Sequence, residues 1–170
     1  IPGYLNLKNA IAAAAVASEL GIDPEKIASV LSTVTLSDKR YETVKYKNSG
    51  ILLDCYNANP TSTENFLDDI ASLGSYNIVV LGDMLELGAT SETSHERIVR
   101  KAADLNFQEV LLTGGEMNKA FKKFEGKGNI TYYEDFTELK NRFDRIAESG
   151  VSIAVKGSRG MKLEKLLDEI

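Results

Sequence analysis

The sequence predicts an α/β fold with a mainly parallel sheet and helices on both of its faces. Three observations carry this. From residue 41 onward, short apolar runs of strand length alternate with longer stretches of helical periodicity. The first two runs are separated by Asn48-Ser49-Gly50, a turn signal, and so pair as an antiparallel hairpin. Each later run follows a helical stretch, the order that lays strands parallel through right-handed crossovers.

Residues 8–20 read as a helix that stops at Gly21. Asp23 and Pro24 then stand as N-cap and first residue of a second short helix, reaching about Ser32. This pair differs in composition from the rest of the chain, so a boundary is expected near 36–40, with 1–38 and 39–170 as separate units. Strands are expected at 41–47, 51–54, 77–82, 109–114, 130–133 and 151–157, and helices at about 61–73, 91–105, 115–124 and 136–148, with a last one over 161–169. Thr61-Ser62-Thr63-Glu64 reads as a capping box for the first of these helices. The whole is a six-stranded, Rossmann-like sheet that starts with a hairpin and is preceded by a short helical segment.

With 170 residues, 43% apolar and 26% charged, the chain can bury a core. A net charge of −5 without long basic runs argues against nucleic acid or an anionic membrane as partner. One cysteine allows no internal disulfide and fits a reducing, cytoplasmic compartment. One histidine and one cysteine do not make a zinc site by themselves. No run is apolar and long enough to span a bilayer, and no signal peptide is visible. A start at Ile1 rather than methionine is what a fragment of a longer chain would show.

Ligands of open parallel sheets bind beyond the carboxyl ends of the strands, which ranks the loops before any motif is considered. In DCYNANP (54–60), Asp54 ends a strand, where its carboxylate can accept from both hydroxyls of a ribose; Asn57 and Asn59 come next, each with a donor and an acceptor. A plain polar turn remains an equal reading. Cys55, with no basic neighbour in sequence, reads as a small buried filler rather than a nucleophile. GDMLELG (82–88) holds Asp83 and Glu86 between glycines; spacing alone favours a strand-to-helix turn with solvated acids over an amine-binding loop. KGSRG (156–160) leads from a strand to a helix start and, with Lys156 and Arg159, reads as a phosphate or carboxylate site, against a cap built on Ser158. His95 shares a helical face with Ile98, Val99 and Ala102 and reads as a packed core histidine. The chain has no GxxxxGK[ST], GxGxxG or GxSxG.

GYLNLKNA (3–10), Arg40 in SDKRYE, DCYNANPTS (54–62), LGDMLELG (81–88) with Ser94-His95, and VKGSRGMKLE (155–164), in this order, resemble the C-terminal part of the Mur ligases. The resemblance covers essentially the whole chain, and its YNANP, GDMLELG and KGSRGMK segments are those of the member that takes a D-alanyl-D-alanine dipeptide. It implies an ATP-dependent amide ligase that adds D-alanyl-D-alanine to UDP-N-acetylmuramoyl-tripeptide in peptidoglycan precursor synthesis, through an acyl phosphate. It also implies three domains, of which the chain holds the end of the central one (1–38) and the whole third one. The P-loop and the ligands of Mg2+ would lie in the missing part, so the fragment alone is expected to be inactive. By the same resemblance, Asn9 and Arg40 contact adenine, Asp54 holds the ribose, Asn57 and Asn59 line the inter-domain cleft, and Asp83, Glu86, Lys156, Ser158 and Arg159 help seat the dipeptide. The alternatives are a free-standing nucleotide-binding module without catalysis and a related ligase of the folylpolyglutamate or cyanophycin type.

Overall fold

The structure is a computed structural model that describes residues 3–35, 39–124 and 129–168. Residues 36–38 of the expected boundary lie outside them. The chain opens with two helices, α1 (Tyr4–Glu19) and α2 (Pro24–Thr33). Asp23 caps α2 as expected, accepting from the N–H groups of Glu25 and Lys26. α1 begins earlier than its alanine run suggested, because the carboxylate of Asp69 accepts from the Tyr4 N–H and so satisfies the first turn. Neither helix buries a residue. Leu7, Ile11 and Val16 of α1, and Leu20 just after it, are all more than half exposed.

The sheet elements come in the expected order: β1 (Glu42–Tyr46), β2 (Ser49–Asp54), α3 (Pro60–Leu73), β3 (Ile78–Leu81), α4 (Ser91–Asp104), β4 (Glu109–Thr113), α5 (Gly115–Lys122), β5 (Ile130–Tyr133), α6 (Phe136–Glu148) and β6 (Ile153–Lys156). The strand order is β1-β2-β6-β3-β4-β5. Among the described residues, only the β1–β2 pair is antiparallel.

Two local expectations need correction. The hairpin turn is Lys47-Asn48, one residue earlier than predicted, since Tyr46 pairs with Ser49 and Lys47 takes the left-handed φ of 50°. Ser49 belongs to the ladder because it is buried, its hydroxyl donating to the Ala147 carbonyl at the end of α6. The α-helix expected over 161–169 is instead a pair of 3₁₀ turns, Arg159–Met161 and Leu163–Leu167, joined at Lys162 with φ 52°; residue 169 lies outside the described residues. Leu163 and Leu166 both bury, and a three-residue turn puts such a pair on one side.

Alternation along the strands builds a core on each face. Leu52, Ala154, Val79, Leu81, Val110 and Leu112 meet α3, α4 and α5. Ile51, Leu53, Ile153, Val155, Ile78, Val80 and Leu111 meet α6 and the second 3₁₀ turn. β6 lies in the middle, so the carboxyl ends of β2, β6 and β3 come side by side, each leading into one of the three loops singled out in the sequence.

Candidate functional site

Strand register brings Asp54 and Lys156 together. They are directly paired positions of β2 and β6, and Lys156 is also paired with Leu81 of β3. Alternation sends both side chains to the face that α3 covers. The Lys156 ammonium lies 5.6 Å from the centre of the buried Phe66 ring. It donates to Asp54 Oδ2 and, at 3.2 Å, to the carbonyl oxygen of Asn57. Lys156 is 1% exposed and Asp54 9%. A charge this deep persists only when paired and hydrogen-bonded.

The pair lines a cavity of about 320 Å³, together with Asn9 of α1, Arg40, Tyr56, Asn57 and Asn59. That volume lies within the range of small-molecule sites. The half-buried Tyr56 ring carries two cations: the Arg40 guanidinium carbon is 4.0 Å from its centre and that of Arg159 is 5.3 Å away. Tyr56 escaped the sequence reading. Its signal was available, as an aromatic side chain in the loop after a strand-ending carboxylate. A second missed group is Asp69, which also lines the cavity and ties α1 to α3 by accepting from the Tyr4 N–H and, at 2.7 Å, from the Tyr41 hydroxyl. Burial, reinforced by Asp69, pushes the Tyr41 hydroxyl far above its ordinary pKa.

The two asparagines also shape the backbone. Asn57 Oδ1 accepts from the Ala58 N–H at 2.8 Å. Asn59 is the N-cap of α3: its Oδ1 accepts from the Ser62 N–H at 2.8 Å, while the Ser62 hydroxyl accepts from the Asn59 N–H at 3.1 Å. The capping box is therefore Asn59 with Ser62, not Thr61 with Glu64, and Pro60 takes the first helical position.

The GDMLELG and KGSRG loops lie outside the cavity apart from Lys156, and they correct several expectations. Asp83 is buried rather than solvated, and its carboxylate accepts from the N–H groups of Met117 and Glu116 at 2.8 and 3.1 Å. It thus caps the first turn of α5 from the loop after β3, each of its two oxygens accepting a backbone N–H. Gly114, with φ 110°, admits it: a Cβ there would sit 2.4 Å from the carboxylate. Glu86 is exposed, at φ 64°, and lines a separate surface hollow with Glu92, Glu116 and Lys119. Ser158 is a tie between loops: it accepts from the Leu85 N–H at 2.8 Å, donates to the Ala58 carbonyl at 3.4 Å, and its own N–H donates to the Asp83 carbonyl at 3.1 Å. No α-helix starts at KGSRG, so the helix terminus expected to hold an anion is absent, and Lys156 is already committed to Asp54. Arg159 is the exposed cation of this loop.

His95 is fully buried; Nε2 accepts from the Met84 N–H at 2.9 Å, so Nδ1 carries the proton and donates to the Ser91 carbonyl at 2.7 Å. It pins the GDMLELG loop to α4. Cys55 is buried, and burial pushes its thiol up to about 12, far from a thiolate nucleophile. Among the described residues, no three or more His, Cys, Asp or Glu side chains come together to hold a metal ion. None of their helices is long and apolar enough to cross a membrane.

Comparison with known proteins adds a family to this geometry. The Mur ligase, glutamate ligase domain matches residues 39–159. The chain is 35% identical over 178 residues to the UDP-N-acetylmuramoyl-tripeptide–D-alanyl-D-alanine ligase of Bacillus subtilis (strain 168), covering 100% of the chain and 38% of that protein. The corresponding Escherichia coli (strain K12) enzyme is 33% identical, over 98% of the chain and 37% of its own length. The chain thus spans little more than a third of these curated relatives. A crystal structure of MurF from Acinetobacter baumannii superposes with a TM-score of 0.85 at 27% identity, over 96% of the chain and 36% of that protein. The MurF ligase of Thermotoga maritima, solved in complex with ADP, shares the fold with a TM-score of 0.79 at 22% identity, over 97% of the chain and 37% of that protein. The domain match spans all six described strands of the sheet, the first two loops at its carboxyl edge and the third as far as Arg159, and the chain belongs to the Mur ligases.

Proposed function

We infer that the chain is the C-terminal part of an ATP-dependent peptide ligase that joins D-alanyl-D-alanine to UDP-N-acetylmuramoyl-tripeptide. The observation that carries this is the cavity at the carboxyl edge, where a strand-ending carboxylate and a guanidinium plane share one pocket. Asp54 offers acceptors to the ribose hydroxyls. Arg40 presents a flat cation on which a purine can stack, and Asn9 supplies a donor and an acceptor for the base edge. Asn57 and Asn59 line the same opening. Arg159, exposed and poised on Tyr56, is the cation free to take the carboxylate of the dipeptide. Asp83, Glu86 and Ser158 belong to the loops that flank it; Asp83 and Ser158 act by holding those loops in place.

ATP supplies the phosphoryl group that activates the acceptor's carboxylate. The described residues bring no carboxylate cluster to hold Mg2+, so its ligands and the phosphate-binding loop are assigned to the rest of the protein. Residues 1–38 are assigned to the end of a central domain. The absence of any buried residue in α1 and α2, and a family match that begins at residue 39, support that division.

The test is Asp54→Ala in the full-length enzyme. Losing charge-assisted hydrogen bonds to the ribose should raise KM for ATP about tenfold to a hundredfold, with KM for the dipeptide nearly unchanged. An unaltered KM for ATP would remove Asp54 from the nucleotide site.

A further inference from the structure

We propose that Lys156 is a positioning residue for the nucleotide and acts through Asp54 rather than on any substrate. This rests on reading the cavity as the nucleotide site. The sequence offers Lys156 as a free cation in an anion-binding loop. Three observations give it a different task. It is 1% exposed, against the Phe66 ring, and its ammonium is already engaged by Asp54 and the Asn57 carbonyl, so a carboxylate entering the cavity would have to displace Asp54 to pair with it. Strand register sets it directly beside Asp54, with backbone ladders on both sides of β6 that leave neither residue room to slide. Its donors go to Asp54 Oδ2 and to the Asn57 carbonyl oxygen, two groups on the same cavity wall.

One ammonium therefore sets both the carboxylate and the loop after it. By engaging Oδ2 it fixes the side-chain rotamer of Asp54 and leaves Oδ1 outside the ion pair. By holding the Asn57 carbonyl it fixes the path of residues 55–57, and with it Tyr56, the ring on which Arg40 rests. A ribose carries two adjacent hydroxyl donors, and an acceptor rewards them in full only when its orientation is set before they arrive. Without Lys156, Asp54 would be a nearly buried carboxylate with no counter-charge from β6, free to turn away from the cavity.

The experiment compares ATP, 2′-deoxyATP and 3′-deoxyATP as substrates of the full-length enzyme, as wild type, Lys156→Met and Lys156→Gln. In the wild type, removing one ribose hydroxyl should raise KM about tenfold or more, the loss of one charge-assisted hydrogen bond. In both variants KM for ATP should rise about tenfold to a hundredfold, and the three nucleotides should become equivalent to within about threefold. KM for the dipeptide should stay within about twofold. Lys156→Gln keeps a neutral donor on a side chain one atom shorter, so it carries the test if Lys156→Met fails to fold. Undiminished discrimination against the deoxy nucleotides in a folded variant overturns the proposal. So does a rise in dipeptide KM that matches the rise for ATP, since the lysine would then serve the dipeptide. A wild-type enzyme that does not distinguish ATP from its deoxy analogues instead removes the ribose role of Asp54, and the proposal falls with that reading.

Discussion

Cys55 comes directly after the strand-ending carboxylate, and its sulfur lies 3.7 Å from the Val155 carbonyl oxygen. Burial raises its pKa from 9.0 to about 12; Glu164 and Asp54 add to the rise, and Lys156 opposes it without prevailing. A raised folded-state value means that the folded chain holds the proton more tightly than the unfolded one. The resulting stability is complete below pH 9 and drains away as the pH climbs toward 12. Denaturant titrations across that interval should show a shallower loss of stability for Cys55→Ala than for the wild type; identical slopes would mean that the thiol does not titrate there. The filler role of Cys55 was legible because no cation neighbours it in sequence. The cation that does approach it in space, Lys156, was not legible as such. Its pairing with Asp54 spans 102 positions and depends on the register of two parallel strands. Local chemistry could place Asp54 at the ligand edge, but not its partner.

Helix starts show what an element needs and how much of that is local. The caps of α2 and α6 lie next to their helices, at Asp23 and Asp135. α3 is also capped locally, yet the expected position was two residues late. Pro60 was the deciding signal: a proline suits the first helical position, which makes the preceding Asn59 the cap. α5 is different, because its cap, Asp83, comes from the loop after β3, more than thirty residues earlier. Gly114→Ala forces a Cβ into that carboxylate at a left-handed backbone position. Strain and the lost cap together should cost about 2–4 kcal/mol in urea unfolding, with Asp83→Asn costing about 1–2 kcal/mol. A Gly114→Ala variant as stable as the wild type would show that α5 does not depend on Asp83.

At the scale of the molecule, both cores are built from residues of 41 onward, while α1 and α2 bury no residue and leave Leu7, Ile11, Val16 and Val30 at least half exposed. A chain of residues 39–170 should therefore fold by itself, with a single cooperative thermal transition, and should bind less of a hydrophobic dye than residues 1–170. Loss of that transition would show that the helical pair completes the domain. The fold class was legible throughout, since alternating strand and helix periods specify a parallel sheet. The strand order was not, because it depends on which crossover leaves a gap for another strand. The chain leaves its gap between β2 and β3, and β6 fills it last. Until residues 153–156 have been made, the β1–β2 hairpin and the β3–β4–β5 unit have no strand joining them. On the ribosome, this domain cannot close its sheet until nearly all of it has been synthesised, and a chain cut before β6 is left with two unsatisfied inner edges exposed to aggregation.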